Sequence, residues 1–408
     1  MNWKRCLLWG STAVVFVVAP LIFTSSFALT LLTQMGSFII FALSYNMLLG
    51  QGGMLSFGHA VYSGLGAYIA VHALNLIGKG AIVFPVTLLP LIGGLAGMVF
   101  GILFGYVTTR RAGTTFALIS LGVGEMVFAC VLMFPAFFGG EAGVSTNRVV
   151  GKPFLGVSYG PALQVYYLVA AWCFISMAAM YALTQTPLGR MANAVRDNPE
   201  RAEFVGYDTQ KVRFLQLVLS AFFAGVAGAL SCINFEIVSA ENVSAIRSGG
   251  VLIATFIGGV PFFFGPILGA IVFIFFVAAL SGFTKAWLLY LGIFFVVMVL
   301  YAPGGLASLV LMQIPILRAR RLRSLALPYA AAAGAAALAM AGLIGMVEMV
   351  YRLSEQGAST MLSVAGIEFD AHSPVPWIVF VFFLAAGLLA LQFAGRFFAR
   401  RWAEVKAA

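Results

Sequence analysis

Long apolar runs broken by short polar stretches set the pattern of this chain. A helix crossing a bilayer needs about 20 apolar residues. On that rule the spans are 6–24, 27–49, 60–78, 84–107, 114–138, 161–183, 212–236, 245–259, 266–283, 286–303, 325–351 and 375–395, twelve in all. The segment 245–259 is short and runs into GGVPFFFGP, where Gly258, Gly259, Pro261 and Pro266 interrupt helix formation. A re-entrant hairpin is the competing reading there. One polar stretch stands apart. Residues 184–213, TQTPLGRMANAVRDNPERAEFVGYDTQKVR, hold five basic and four acidic side chains between two spans.

Composition turns that pattern into a class. Of 408 residues 62% are hydrophobic and 9% charged, with mean hydropathy +1.04, where a soluble domain carries about 25% charged residues. Hydrocarbon cannot satisfy exposed backbone groups, so the spans are helices and the fold is an all-α polytopic membrane protein. The formal charge of +10 reads as loop orientation at an anionic membrane surface, not as a nucleic-acid footprint. With the N-terminus inside, Lys4, Arg5, Arg110, Arg111, the five basic residues of 184–213, Arg318 to Arg323, Arg396, Arg400, Arg401 and Lys406 all face the cytoplasm. Only Lys79, Arg148, Lys152, Arg247, Lys285 and Arg352 face out. A hairpin at 245–259 would put Arg318 to Arg323 outside, so the count favours a crossing. Both termini are then cytoplasmic, and the loops 139–160 and 352–374 are external.

MNWKR and the apolar run after it read as an uncleaved first helix. Cys6, Cys130, Cys173 and Cys232 lie in or beside apolar runs without paired spacing, so they read as packing residues. Composition shifts after Gln313. Residues 1–313 read as a ten-helix core, and 314–408 as a two-helix appendage with an alanine-rich helix and an outer loop bearing Glu355, Glu368 and Asp370.

Candidate chemistry is sparse. No phosphate loop, zinc helix or nucleophile elbow occurs, and His59, His72 and His372 are scattered. Nothing points to a catalytic residue, a metal or a cofactor. Between the second and third spans, LGQGGMLSFGHAVYSGLGAY (49–68) crowds glycines around Gln51, Ser56 and His59. That is either a broken helix lining a path or close packing around a tight turn. Glu125 lies mid-span, where an ionised carboxylate must face protein or water. It serves either a substrate path or an interhelical hydrogen bond. Within 184–213, Pro187 and Gly189 are expected to close the preceding helix. Asn198-Pro199 then starts a short surface helix over 199–206, with Glu200 and Glu203 in its first turn and Gly206 as exit. Such a solvated helix suits the groove of a soluble partner.

These stretches resemble the LivM-like permease subunits of branched-chain amino acid ABC importers. The likeness spans about residues 30–310. It rests on LGQGGMLSFGHAVYSGLGAY, RRAGTTFALISLGVGEM, TPLGRMANAVRDNPERAEFVGYD, GGVLIATFIGGVPFFFGPILGA and LYAPGGLASL. Glu200, Ala202 and Gly206 match the E-A-A-x-x-x-G spacing of the family's coupling loop, with Arg201 replacing the first alanine. The resemblance implies that Arg196, Asp197, Asn198, Glu200, Ala202, Glu203 and Gly206 couple to an ATPase. It places Asn46, Gln51, Gly52, Ser56, His59, Tyr62, Thr115 and Glu125 along the substrate path. Two ATP-binding subunits, a sibling permease subunit, a periplasmic substrate-binding protein and membrane lipid are the implied partners, and hydrolysis belongs to the ATPase subunits. Relatives that carry urea, amides or aromatic acids leave the cargo open. An ion-coupled secondary transporter is the alternative of another class.

Overall fold

Backbone groups that cannot be left to hydrocarbon pair within their own segment, and the chain is helical through every apolar run. The computed structural model describes residues 3–151, 156–318, 322–354, 361–364, 367–370 and 372–407. Lys152, Arg320, Arg321 and Glu355, read above, lie outside the described residues. The helices are α1 (Trp3–Ile22), α2 (Ser26–Asn46), α3 (Ala60–Gly78), α4 (Leu89–Thr108), α5 (Gly113–Met133), the single turn α6 (Pro135–Phe138), α7 (Ala162–Gln185), α8 (Pro187–Asp197) and α9 (Pro199–Phe204). They continue as α10 (Thr209–Phe235), α11 (Ala245–Gly258), α12 (Gly265–Ile274), α13 (Trp287–Tyr301), α14 (Gly305–Arg318), α15 (Leu322–Ser354) and α16 (Pro374–Ala407). Among the described residues nine helices are long and apolar enough to cross a membrane, or ten if the bent pair α13 and α14 forms one span. Two of the twelve expected segments, in α1 and α11, give shorter apolar helices. The expected span 114–138 breaks at Pro135, which cannot continue α5 and instead opens α6.

The chain divides into two compact units, residues 1–283 with 291–308, and residues 284–290 with 309–408. In the first, α2 is buried on every side from Gly36 to Asn46, and α10 along most of Gln216–Ile233. They are the posts of the unit, with α3 and α4 against α10 and α7 and α12 against α2. Lipid gives no hydrophobic drive between helices, so small residues let backbones touch. A Cβ on Gly225 would run into the Gly93 carbonyl, and one on Gly228 into the Ser63 carbonyl.

At the far end of α10 the strand β1 (Val144–Ser145) pairs antiparallel with β2 (Ile237–Val238). Arg148 holds this end. Its guanidinium donates to the carbonyls of Tyr159 at 2.8 Å, Asn234 at 3.2 Å and Gly160 at 3.2 Å, while its backbone N–H donates to Glu236 Oε1 at 2.8 Å.

In the second unit α15 and α16 lie along each other. A Cβ on Gly387 would come 2.6 Å from Ala339 Cα. Glu348 accepts hydrogen bonds from Thr284 Oγ1 at 2.6 Å and Tyr290 OH at 3.1 Å, which satisfies a carboxylate in an apolar helix. A hairpin of β3 (Met361–Val364) and β4 (Ile367–Asp370), register Met361↔Asp370, joins the two helices. Four-residue strands fall below any search for long apolar runs.

Candidate functional site

The polar stretch 184–213 folds into two helices, where the sequence pattern called for one. Pro187 does not close α7. Thr186 caps a new helix, its Oγ1 accepting from Gly189 N–H at 3.3 Å, and Pro187 takes the first position, where its missing N–H costs nothing. Asn198 then caps α9, Oδ1 accepting from Arg201 N–H at 2.9 Å. The expected helix ends at Phe204, and Gly206 turns the chain out at φ +95°, with open space around it.

Ala202 is buried with Ala192, Val195 and Val212, which pins α9 to α8 and α10. Glu200 is exposed. Glu203 Oε1 accepts from Thr209 Oγ1 at 2.7 Å. Hydrogen bonds from the backbone and side chain of Lys211 hold the Asp208 carboxyl below its usual range. Arg110, Glu200, Glu203, Asp208 and Arg213 line a charged cleft of about 590 Å³ beside α9. At its tip α9 presents apolar surface to solvent, Phe204 being 92% and Val205 71% exposed. Arg196 points the other way. It pairs with Asp197 at 2.8 Å, and its Nη1 donates to the carbonyl of Gly50.

Gly50 belongs to the break between α2 and α3. There α2 runs on as a π-helical turn, Met47–Gln51. Gly53, at φ +64° against the Arg196 side chain, then turns the chain back into an extended stretch that reaches α3. Apart from Gly53 and its neighbours Leu55 and Phe57, most of the break is buried inside the first unit. Asn46, Gln51, Ser56, His59 and Tyr62 are all buried, and Gly52 with them. Tyr45 OH donates to the Ser56 carbonyl at 3.0 Å, and Gln216 Nε2 to the Met47 carbonyl at 2.9 Å.

Ser44 Oγ donates to the Phe41 carbonyl at 2.7 Å, so its contact with His59 Nε2 at 3.0 Å assigns the imidazole proton to Nε2. The bare His59 Nδ1 and Asn46 Oδ1 are sealed without a partner. Phe41 stacks on His59 at 5.4 Å, and Tyr62 meets its edge at 5.8 Å.

Thr115 and Glu125 are elsewhere. On α5, Thr115, Leu118, Gly122, Glu125 and Ala129 recur at helical spacing and are all exposed, while Phe116, Ser120, Val127 and Val131 face the core. A charged group at the bilayer centre costs about 2.5–3.5 kcal/mol or more, so a carboxylate on this exposed face of a long apolar helix is favoured only beside water or another protein chain. The segment 240–243 and α11 pack beside α5. On α11, Ile246 is 88% exposed and Gly249 has nothing within 4 Å. Where the start of α5 approaches residues 53–57 there is a cavity of about 530 Å³, lined in part by Phe57, Thr114 and Leu118.

The candidate residues thus fall into three places: a helical pair at one end, a sealed break and an open face. The sequence reading missed Arg247 in the open region, having counted it only among the outward-facing basic residues although it falls inside the span 245–259. The signal was one arginine inside an apolar run. Among the described residues no cluster of three metal-binding side chains occurs.

A family model described as branched-chain amino acid transport system / permease component matches residues 27–303. The high-affinity branched-chain amino acid transport system permease protein LivM of Escherichia coli is 30% identical over 290 residues, which cover 66% of this chain and 67% of that one. Its namesake in Salmonella typhimurium is 28% identical, covering 74% and 75%. The fructose import permease protein FrcC of Rhizobium meliloti is 24% identical, covering 61% and 69%. No solved structure matches.

Proposed function

This chain belongs to the branched-chain amino acid transport system permease family, and from that premise we propose that it is the membrane subunit through which an ATP-driven importer passes branched-chain amino acids. It is a multi-pass membrane permease. In the proposed assembly it pairs with a sibling permease in the bacterial inner membrane. Two ATP-binding subunits dock on α8 and α9 from the cytoplasm, and a periplasmic binding protein delivers cargo to the opposite end. Both chain termini then lie in the cytoplasm with α8 and α9.

The observation that carries this reading is the bond from Arg196 to the Gly50 carbonyl. It ties the solvated helical pair to the one place where α2 loses regular helix. When the ATPase pair closes, α9 is pushed by its exposed tip and α8 moves with it through the buried Ala192–Ala202 contact. Arg196 then draws on Gly50 and Gly53 at the foot of α2. A π-helical turn and a left-handed glycine yield at lower cost than regular helix. The residues below His59 shift against the start of α5, opening the path on one side and closing it on the other.

The test is to substitute Glu200→Lys and Phe204→Asp in the full importer. Each is expected to abolish ATP-driven leucine uptake and co-purification of the ATPase subunits, with the permease still inserted at normal abundance. Leucine uptake that persists without ATP in these variants overturns the reading in favour of ion coupling.

A further inference from the structure

Arg247 is a cation in an apolar region that feels the carboxylate of Glu241 without forming an ion pair with it. Among the described residues it makes no ion pair, and its side chain donates no hydrogen bond. Nε is sealed from solvent and unpartnered, while the residue as a whole is part-exposed. Its guanidinium carbon sits 5.8 Å from the centre of the Phe41 ring, which also meets the rings of His59 and Phe38. An arginine held over an aromatic face keeps its charge and a fixed plane. A guanidinium among apolar helices that makes no ion pair and donates no hydrogen bond is expensive to keep, which makes it a functional feature by default.

Its position is equally specific. Arg247 lies in the first turn of α11, behind the cap formed by Ser244 Oγ and its own N–H at 3.3 Å. Ser248 Oγ accepts from Ala60 N–H at 3.0 Å, which fixes this turn beside the start of α3. A Cβ on Gly124 would lie 3.4 Å from Gly58 Cα, so the segment 58–60 is flanked by Arg247's neighbour on one side and Glu125's on the other. The free N–H groups of a helix start add their positive end to that of the guanidinium. Ile246, next to Arg247, is the most exposed residue of the turn.

We propose that Arg247 takes the carboxylate of the cargo as it passes the middle of the path. The inference rests on the permease reading. It adds that the permease itself, and not the delivering protein alone, reads one charged end of its substrate. A guanidinium forks onto a carboxylate with two parallel hydrogen bonds, a geometry that an amide or a sugar hydroxyl does not reproduce.

The experiment uses the full complex, this chain with its sibling and both ATPases, carrying Ile246→Cys as a reporter. Anionic and cationic methanethiosulfonates are compared without ATP. The anionic reagent is expected to react on the order of 10-fold faster, as a focused positive field concentrates anions. Arg247→Gln should erase that preference and Arg247→Lys retain it. L-leucine should slow the reaction, and leucinamide, which lacks the carboxylate, should not.

Equal rates for the two reagents overturn the proposal. So does protection by leucinamide as strong as by leucine, or no protection by either, the result if Glu241 or an acidic residue of the sibling subunit occupies the guanidinium instead. ATP-driven leucine uptake by the unsubstituted complex is scored separately. Its absence sinks the permease reading, whatever the reagent rates.

Discussion

His59 and Glu125 are both polar residues in apolar surroundings on adjoining elements, yet their environments are opposite. His59 is wholly buried, its Nε2 on Ser44 and its ring between Phe41, Tyr45 and Tyr62. Glu125 is exposed on a helical face that also carries Thr115, Leu118 and Gly122. A buried polar group with neighbours in hydrogen-bond reach belongs to the frame of the molecule. An exposed carboxylate on a membrane helix is incomplete until something outside the chain meets it. Residues that the family resemblance places along one path therefore differ in environment, and the dividing line is whether the chain's own side chains enclose them.

Glycine offers the sharpest way to break this comparison, because the same change can be made on both sides of the line. Gly228→Val puts a branched side chain against the Ser63 carbonyl, where backbone must move. We expect a cost of about 3 kcal/mol or more and little folded protein in the membrane. Gly122→Val has nothing within 4 Å. It should leave abundance unchanged and instead reduce assembly with the sibling subunit or transport. Quantitative blotting of membranes beside uptake separates the two, and equal loss of abundance from both would erase the distinction between sealed and open regions.

The polar pair gives a smaller, finer contrast. His59→Ala removes the Ser44 contact and leaves a void among aromatic rings, for an expected loss of about 2–4 kcal/mol, read as lowered thermal stability of the purified complex. Glu125→Gln keeps the shape and removes the charge. It should leave stability unchanged while altering the leucine transport rate or the range of solutes carried. If Glu125→Gln lowers only abundance, the carboxylate is structural and the open face is not a path.

How far the sequence could lead follows the same line. Apolar run length located every long helix, because the requirement it reflects is local. The short helix α9 was legible from Asn198, Pro199, Glu200 and Gly206, all capping signals within nine residues. Pro187 misled, since proline ends one helix and starts another with equal ease and only Thr186 Oγ1 on Gly189 N–H decides which. A hydrogen-bonded structural role for His59 was the sequence reading of that residue taken alone, but the groups that close the break around it were not legible, because Ser248 and Gln216 come from distant spans. Arg247 was overlooked because a charge count assigns basic residues to loops. An arginine at the third residue of an apolar helix needs another explanation.

The mildest test reaches the end of the molecule from which the proposed drive would act on the sealed region. Asn198 caps α9 through a single bond to Arg201 N–H at 2.9 Å. Loss of such a cap costs about 1 kcal/mol. In a helix of six residues that is a large share of local stability, whereas α10 and α2 are too long and too buried to notice it. Asn198→Ala should therefore spare folding and ATPase binding but loosen the lever between α9 and Arg196. The expected result is leucine uptake lowered severalfold per ATP hydrolysed, with hydrolysis itself maintained. If uptake and hydrolysis fall together, α9 serves only to hold the ATPase. The link from Arg196 to Gly50 would then carry no motion into the sealed break.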